Sequence, residues 1–236
     1  IFMKKKILFL IKNKASFKVI LFFLFQKFIN IFYKKKIKLF KKKNKEFLLN
    51  KKISNDYFSM NAYNFYHHLS EIKKDFIYLE IGSYEGNSAM FVANTFPSSK
   101  VFCVDNWVGS EDYFEQDFNI VENNFNYNIN EYSNIYKLKK NSDDFFLNHK
   151  DPKFDVIYVD GYHKGFQVLT DCQNSWKTLK IDGILICDDY FWNFYEKTEN
   201  NPCYSINLFL KEIENEYKIL QVSNSQIFIK KIAKNI

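Results

Sequence analysis

Four side chains that could hold a metal ion and move a proton follow two apolar runs in the second half of the chain. They are Asp160, His163, Asp188 and Asp189. If the runs at 154–159 and 183–187 are neighbouring parallel strands, the three carboxylates meet at one edge of a sheet. There they repel one another unless they are protonated or bridged by a cation. A divalent ion such as Mg²⁺ suits such a site and lowers the pKa of a bound hydroxyl group. His163 could then serve as the general base, with Asp160 beside it as the second catalytic candidate. The alternative is that these residues only cap helices or fill polar positions.

A glycine-containing loop near residue 80 has the pattern of a nucleoside-binding turn. The pattern is Glu80-x-Gly82-x-x-x-Gly86-x-Ser88, and the apolar run that comes next ends on Asp105. Glycines let the backbone approach a ligand closely, and an acidic residue after the second strand can accept hydrogen bonds from ribose hydroxyl groups. The candidate cofactor-binding residues here are Glu80, Gly82, Ser83, Gly86, Ser88 and Asp105. The spacing differs from the G-x-G-x-x-G of dinucleotide enzymes, and a purely structural turn would look similar.

The elements that must position these residues alternate regularly from residue 53. The predicted strands are 76–81, 100–104, 135–139, 154–159, 183–187, 217–222 and 226–231. The predicted helices are 56–72, 86–95, 142–148, 164–179 and 204–215. Such alternation predicts a Rossmann-like, doubly wound α/β fold with a mostly parallel seven-stranded sheet. The last two strands are separated by three residues, 223–225, and are predicted to form an antiparallel hairpin.

The segment 106–134 is predicted to be a long polar and aromatic insert. Its aromatic residues could offer ring faces to a sugar, or could simply pack as a lid. They are Trp107, Tyr113, Phe114, Phe118, Phe125 and Tyr127.

The chain resembles the methyltransferase-24 type of class I S-adenosylmethionine-dependent O-methyltransferases. These are relatives of catechol O-methyltransferase-like enzymes and of macrocin-type sugar O-methyltransferases. The resemblance rests on Asp160-Gly-Tyr-His163, Asp171, Leu179-x-x-Asp-Gly183 and Asp188-Asp189. It covers roughly residues 60–232.

The resemblance implies a role for each candidate residue. S-adenosylmethionine would bind with its methionine end at Glu80 and Gly82, its ribose at Asp105 and its adenine near Ser142 and Asp143. Mg²⁺ would be held by Asp160, Asp188 and Asp189, and His163 would be the base for the hydroxyl group of a small molecule or sugar. The chain departs from the family at Tyr84 and Glu85, which are bulky for the glycine loop, and at the insert 106–134.

Two other classes of function remain open at this stage. A nicotinamide-dependent oxidoreductase could share the fold, although the loop lacks its glycine spacing and no Tyr-x-x-x-Lys pair follows. A non-catalytic, membrane-tethered protein that binds the cofactor is the other alternative.

Charge divides the chain into a basic arm, residues 1–52, and an acidic domain, residues 53–236. The arm has 17 Lys and one acidic residue, a net charge of +16; the remainder has 17 Lys and 26 acidic residues, a net charge of −9. An acidic domain without any Arg argues against nucleic acid as a partner. The apolar run 19–25, set among lysines, is too short to span a bilayer but fits a helix on an anionic membrane surface. The arm could equally pack on its own domain or on another subunit of a homo-oligomer.

The cysteines indicate a reducing compartment. Cys103 and Cys187 fall in predicted strands, Cys172 and Cys203 are isolated, and no metal or disulfide spacing is present. We therefore expect a cytoplasmic protein, peripheral at the inner face of the membrane if the arm binds lipid.

Overall fold

The computed structural model describes residues 2–72, 75–111, 116–151, 153–223 and 225–233. Seven strands within these ranges form one sheet in the order β3-β2-β1-β4-β5-β7-β6. The strands are β1 Ile77–Ile81, β2 Lys100–Asp105, β3 Ile135–Lys139, β4 Phe154–Val159, β5 Leu179–Cys187, β6 Tyr217–Val222 and β7 Ile227–Lys231. β2 runs parallel to both β1 and β3, and β5 runs parallel to β4. β7 is antiparallel to both β5 and β6, which confirms the predicted fold class and its terminal hairpin.

The helices lie mostly between these strands in the sequence. They are α1 Phe2–Lys12, α2 Phe17–Leu48, α3 Ala62–Leu69, α4 Asn87–Thr95, α5 Phe118–Ile129, α6 Ser142–Leu147, α7 Gly165–Thr178 and α8 Pro202–Glu212. A short 3₁₀ turn, Thr198–Asn200, precedes α8. No helix of the described ranges combines the length and the apolar character needed to cross a membrane.

The three largest differences from the sequence prediction are in the insert, in the first helix after the arm and in β5. The insert 106–134 contains a regular helix, α5, which the sequence analysis did not predict. The helix predicted over 56–72 is limited to Ala62–Leu69, and β5 begins at Leu179 rather than at residue 183. The strands predicted at 135–139, 154–159 and 217–222 have the predicted bounds.

The chain divides into two compact units, one of residues 1–29 and 146–236 and the other of residues 30–145. In the first unit, the core includes the fully buried rings of Phe154, Tyr158 and Phe209. In the second unit, Tyr78, Phe65 and Phe125 are fully buried. The boundary predicted between residues 52 and 53 concerns charge and function, and it stays a prediction.

Candidate active site

The glycine loop between β1 and α4 depends on backbone conformations that favour glycine. Gly82 and Gly86 both have φ of 84°, in the left-handed region. The N–H of Gly82 donates to the carbonyl of Val104 at 2.9 Å, and Gly86 is the N-cap residue of α4. A Cβ atom on Gly86 would lie 3.1 Å from the ring of Phe125. The loop is therefore fixed in a shape that side chains at these two positions would oppose.

Asp105 holds this loop through its carboxylate. Oδ2 accepts from the N–H groups of Ser83 and Tyr84 at 2.9 and 3.0 Å, and Oδ1 accepts from the N–H of Trp107 at 2.8 Å. Asp105 is thus the common partner of the glycine loop and of the segment after β2. A carboxylate oxygen can accept further hydrogen bonds, so these contacts are compatible with the predicted ribose contact, which stays a prediction.

Glu80 is a fully buried carboxyl group beside the glycine loop. Its Oε2 accepts from the hydroxyl of Tyr78 at 2.9 Å. Burial raises the pKa of Glu80 to about 7; the hydroxyl groups of Ser88, Tyr78 and Ser83 lower it in part, and Asp105 raises it further.

Two polar atoms at this position lack a hydrogen-bond partner of normal geometry among the described residues. They are Glu80 Oε1 and Ser83 Oγ, and both are buried. An unpaired buried acceptor costs stability unless a ligand satisfies it. The methionine end of S-adenosylmethionine carries an ammonium group that could donate to these atoms, so the residues fit the cofactor predicted from the sequence.

The other predicted cofactor-binding residues lie at helix starts within the same unit. Ser88 is buried near the start of α4. Ser142 and Asp143 are the first two residues of α6, which follows β3. Because Asp105 is in register with Lys139 at the end of β3, Ser142 comes three residues beyond the pairing partner of Asp105.

The sequence analysis missed the residues that brace the glycine loop from α5. The carboxylate of Glu85 accepts from the N–H and hydroxyl of Ser54 at 2.6 and 2.7 Å and from Asn124 Nδ2 at 2.7 Å. Asn128, fully buried, donates through Nδ2 to the carbonyls of Lys52 and Glu85, both at 2.9 Å. The bulky Glu85 is therefore an anchor of the loop, and Ser54 and the Asn-rich helix α5 supply its partners.

Two aromatic residues of the insert follow the second of the two alternatives and pack in the interior. Trp107 and Phe125 are buried, and their rings pack 4.8 Å apart. The indole Nε1 of Trp107 donates to the carbonyl of Tyr84 at 2.9 Å, so this ring supports the glycine loop. Tyr127 is exposed, and its ring lies under the ammonium group of Lys52. The predictions for Tyr113 and Phe114 lie outside the described residues.

In the other unit, Asp160 and Asp188 follow β4 and β5 and share one hydroxyl group. Tyr158 donates to Asp160 Oδ2 at 2.7 Å and also contacts Asp188 Oδ2. Burial raises the pKa of Asp160 well above its usual range, and the carboxylates of Asp188 and Asp189 raise it further. Burial, with a contribution from Asp189, raises the pKa of Asp188 to about 7. The three carboxylates therefore lie close together, and their negative charges disfavour ionisation of Asp160 and of Asp188.

Asp189 pairs with the predicted base. His163 Nε2 lies 2.8 Å from Asp189 Oδ2, and His163 is buried. Asp189 has φ of 55°, a strained conformation for a residue other than glycine. With the Nε2 proton shared with Asp189, Nδ1 is the proton-accepting nitrogen of the neutral imidazole.

One ligand atom from each of Asp160, His163 and Asp189 lies within 4.8 Å of the others, a spacing that fits a metal ion. Asp188, the third predicted ligand, is turned to other partners. Its Oδ2 accepts from Gln226 Nε2 at 2.6 Å, and its Oδ1 accepts from the N–H of Asp189 at 2.7 Å. The carboxylate oxygens of this group fit the ligand preference of Mg²⁺. The compact group thus consists of Asp160, His163 and Asp189, and contains His163 in place of the predicted Asp188.

A cluster of aromatic rings lies beside His163, and this too was not predicted. The Trp192 ring lies 5.0 Å from the imidazole of His163 and stacks on Phe194 at 5.4 Å. The loop that carries these rings is held by Asn201, which is fully buried. Its side chain accepts from the N–H groups of Phe194 and Tyr195 and donates to the carbonyls of Tyr195 and Lys197. Only the position of Asn201 just before Pro202 could have suggested a fixed turn here.

Residues 79–190, almost half of the chain, match a family model described as a methyltransferase domain, of the methyltransferase-24 type. A search of curated protein sequences found no match.

Solved structures share the fold at low sequence identity. An O-methyltransferase from Bacillus cereus in complex with S-adenosylhomocysteine is 15% identical with a TM-score of 0.56, covering 91% of this chain and 100% of its own. A putative caffeoyl-CoA O-methyltransferase from Staphylococcus aureus is 14% identical with a TM-score of 0.57, covering 88% of this chain and 99% of its own.

MycE, a methyltransferase of the mycinamycin biosynthetic pathway, was solved with Mg, S-adenosylhomocysteine and mycinamycin VI. It is 13% identical to this chain, with a TM-score of 0.55, and the match covers 77% of this chain. This chain spans about half of the MycE chain, 52% of its length.

Proposed function

We propose that this chain, whose residues 79–190 match a family model for a methyltransferase domain of the methyltransferase-24 type, is an S-adenosylmethionine-dependent O-methyltransferase assisted by a divalent metal ion. The acceptor is a hydroxyl group of a small molecule or sugar. The observation that carries the O-methyl assignment is the compact group of Asp160, His163 and Asp189, whose ligand atoms lie within 4.8 Å of one another.

The glycine loop and its neighbours serve the cofactor. Gly82 and Gly86 keep the loop open for close approach, and Asp105 holds the loop in that shape. Glu80 Oε1 and Ser83 Oγ offer buried acceptors to the amino-acid end of the ligand. When bound, S-adenosylmethionine supplies an electrophilic methyl group.

His163 and the carboxylates serve the acceptor. Asp189 accepts the Nε2 proton of His163, which orients the ring and favours the protonated imidazole once the ring has taken the hydroxyl proton at Nδ1. A divalent cation at Asp160 and Asp189 would hold the acceptor oxygen and lower the pKa of its hydroxyl group. The raised pKa of Asp160 and of Asp188 supports a cation there, because positive charge would relieve the repulsion that raises both.

The aromatic loop favours an acceptor that carries a ring. Trp192 lies against His163, and Phe194, stacked on Trp192, is 49% exposed. Aromatic faces pack against the apolar faces of sugars and aromatic rings alike, so this surface supports a cyclic acceptor without choosing between the two. The family match favours methyl transfer over the nicotinamide-dependent alternative, whose glycine spacing the loop also lacks.

Two measurements test the proposal. Isothermal titration calorimetry with S-adenosylhomocysteine and with NADH should show binding of the first only; the reverse result would contradict the assignment. Methyl transfer from labelled S-adenosylmethionine to a panel of glycosides and catechols should depend on Mg²⁺. Full activity in excess chelator would remove the metal from the mechanism while leaving His163 as the base. Transfer to amino but not hydroxyl groups would overturn the O-methyl assignment.

A further inference from the structure

Helix α2 exposes a row of large apolar side chains along one face. The row consists of Phe17, Leu21, Phe25, Phe28 and Phe32, and we call it the apolar stripe. Each of its side chains is exposed, from 47% for Leu21 to 74% for Phe17. At 3.6 residues per turn, the five positions fall within about 80° of arc around the helix axis.

The opposite face of α2 already supplies the helix with a core contact. Val19 and Phe23 are fully buried, and they lie about half a turn away from the centre of the apolar stripe. The ring of Phe23 packs 5.1 Å from that of Phe191. A surface helix needs one apolar face to stay packed on its domain, so the apolar stripe requires a separate explanation.

The charge around the apolar stripe identifies the partner it fits. Residues 1–52 carry a net charge of +16, and Lys34–Lys36 begin two residues after Phe32, the stripe's last residue. Glu46 is the one acidic residue of these 52, and it pairs with Lys42 at 3.6 Å. The surface is thus apolar and strongly cationic, whereas the rest of the chain carries −9. A second copy of the chain would bring like charges together along this face.

We propose that the apolar stripe and the lysines that follow it bind an anionic lipid bilayer. The helix lies in the plane of the membrane, with the Phe and Leu side chains among the acyl chains and the lysines among the headgroups. Among the described residues, α2 does not combine the length and the apolar character of a spanning helix, so the proposed contact is peripheral. This inference does not depend on the proposed methyl transfer.

The test is flotation of the full-length protein with vesicles of phosphatidylcholine alone or with about 30% phosphatidylserine. We expect binding to the anionic vesicles that weakens in high salt, because salt screens the lysines. The double substitution Phe25→Asp and Phe28→Asp should lower the bound fraction at least tenfold. A matched control, Ile120→Asp with Leu147→Asp, adds the same charge at exposed apolar positions outside the arm and should bind as the wild type does.

Replacing Lys34, Lys35 and Lys36 by Gln separates charge from apolar contact. It should reduce binding to anionic vesicles severalfold. Circular dichroism and S-adenosylhomocysteine affinity should match wild type for every variant. The proposal is overturned if wild type stays lipid-free at low salt, or if the stripe variant binds as well as its control. It is also overturned if wild type is a dimer without lipid and the stripe variant is a monomer, because the stripe would then be an interface between copies.

Discussion

Replacing Glu80 by Gln should change how the stability of the ligand-free protein depends on pH. Glu80 is fully buried, and its pKa rises from 4.5 to about 7 on folding, mainly through loss of water around the carboxylate. A folded-state pKa above the unfolded value means that the folded protein holds the proton more tightly. The stability that Glu80 contributes is therefore full below about pH 4.5 and is lost as the pH rises through about 7.

The shift in the pKa of Glu80 sets the size of the effect. At about 1.4 kcal/mol per pKa unit, the rise from 4.5 to about 7 corresponds to a loss of about 3 kcal/mol over the whole window. Most of it, about 2 kcal/mol, falls between about pH 5 and about pH 8.5. Gln has no charge to bury, so the free energy of unfolding of Glu80→Gln relative to wild type should rise by this amount over that interval.

Urea unfolding of wild type and Glu80→Gln, without ligand, at about pH 5 and about pH 8.5 measures this change. Because both proteins share every other titrating group, the effects of those groups on the free energy of unfolding cancel in the comparison. Glu122→Gln is a control of opposite sign, because hydrogen bonds from Lys137 and Lys139 lower the pKa of Glu122. The stability that Glu122 contributes is lost as the pH falls. If the difference in the free energy of unfolding between wild type and Glu80→Gln stays constant from about pH 5 to about pH 8.5, the conclusion that burial raises the pKa of Glu80 is wrong.

Four further outcomes are expected. Gly82→Val should abolish S-adenosylhomocysteine binding in calorimetry, because the left-handed backbone opposes a β-branched residue; unchanged affinity would contradict the loop assignment. Asp189→Asn should remove the rise in melting temperature that Mg²⁺ gives wild type, and an equal rise in both proteins would place the ion elsewhere. His163→Gln should lower kcat by about 100-fold or more with cofactor affinity kept; an unchanged kcat would exclude it as the base. Asn128→Ala should cost about 1–3 kcal/mol in urea unfolding, because the buried carbonyl of Glu85 and the carbonyl of Lys52 lose their partner. A cost under about 0.5 kcal/mol would contradict that role.

The strands, and the carboxylates that follow β4 and β5, could be predicted because their sequence signals are local. The apolar run 154–159 ends directly on Asp160, and a parallel sheet brings such ends to one edge. Helix α5 was missed because Asn-rich sequence has low helix propensity. Its buried residues Val121, Phe125 and Asn128 nevertheless follow helical spacing, and Asp117 caps it by accepting from the N–H of Asn119. These were the signals that could have revealed it.

The partners of Glu85 and Asp188 could not be predicted, because they come from distant parts of the sequence. Nothing near Glu85 points to Ser54 or Asn124, and nothing near Asp188 points to Gln226. Hydrogen bonds between such residues are fixed by the tertiary fold, so a single sequence does not reveal them. For the same reason the compact group took in His163 in place of Asp188.

The hydrogen bonds between Asn128 and residue 52 affect how the chain can be shortened. The N–H of Lys52 donates to Asn128 Oδ1 at 2.7 Å, and its carbonyl accepts from Asn128 Nδ2. A protein that begins at residue 53 would lose both bonds, and would leave a fully buried amide side chain short of partners next to Glu85. Deleting the basic arm at its charge boundary would thus damage the glycine loop as well as remove the lysines. Loss of activity in such a truncated protein would say nothing about membrane binding. Single substitutions are needed to study the basic arm and the glycine loop separately.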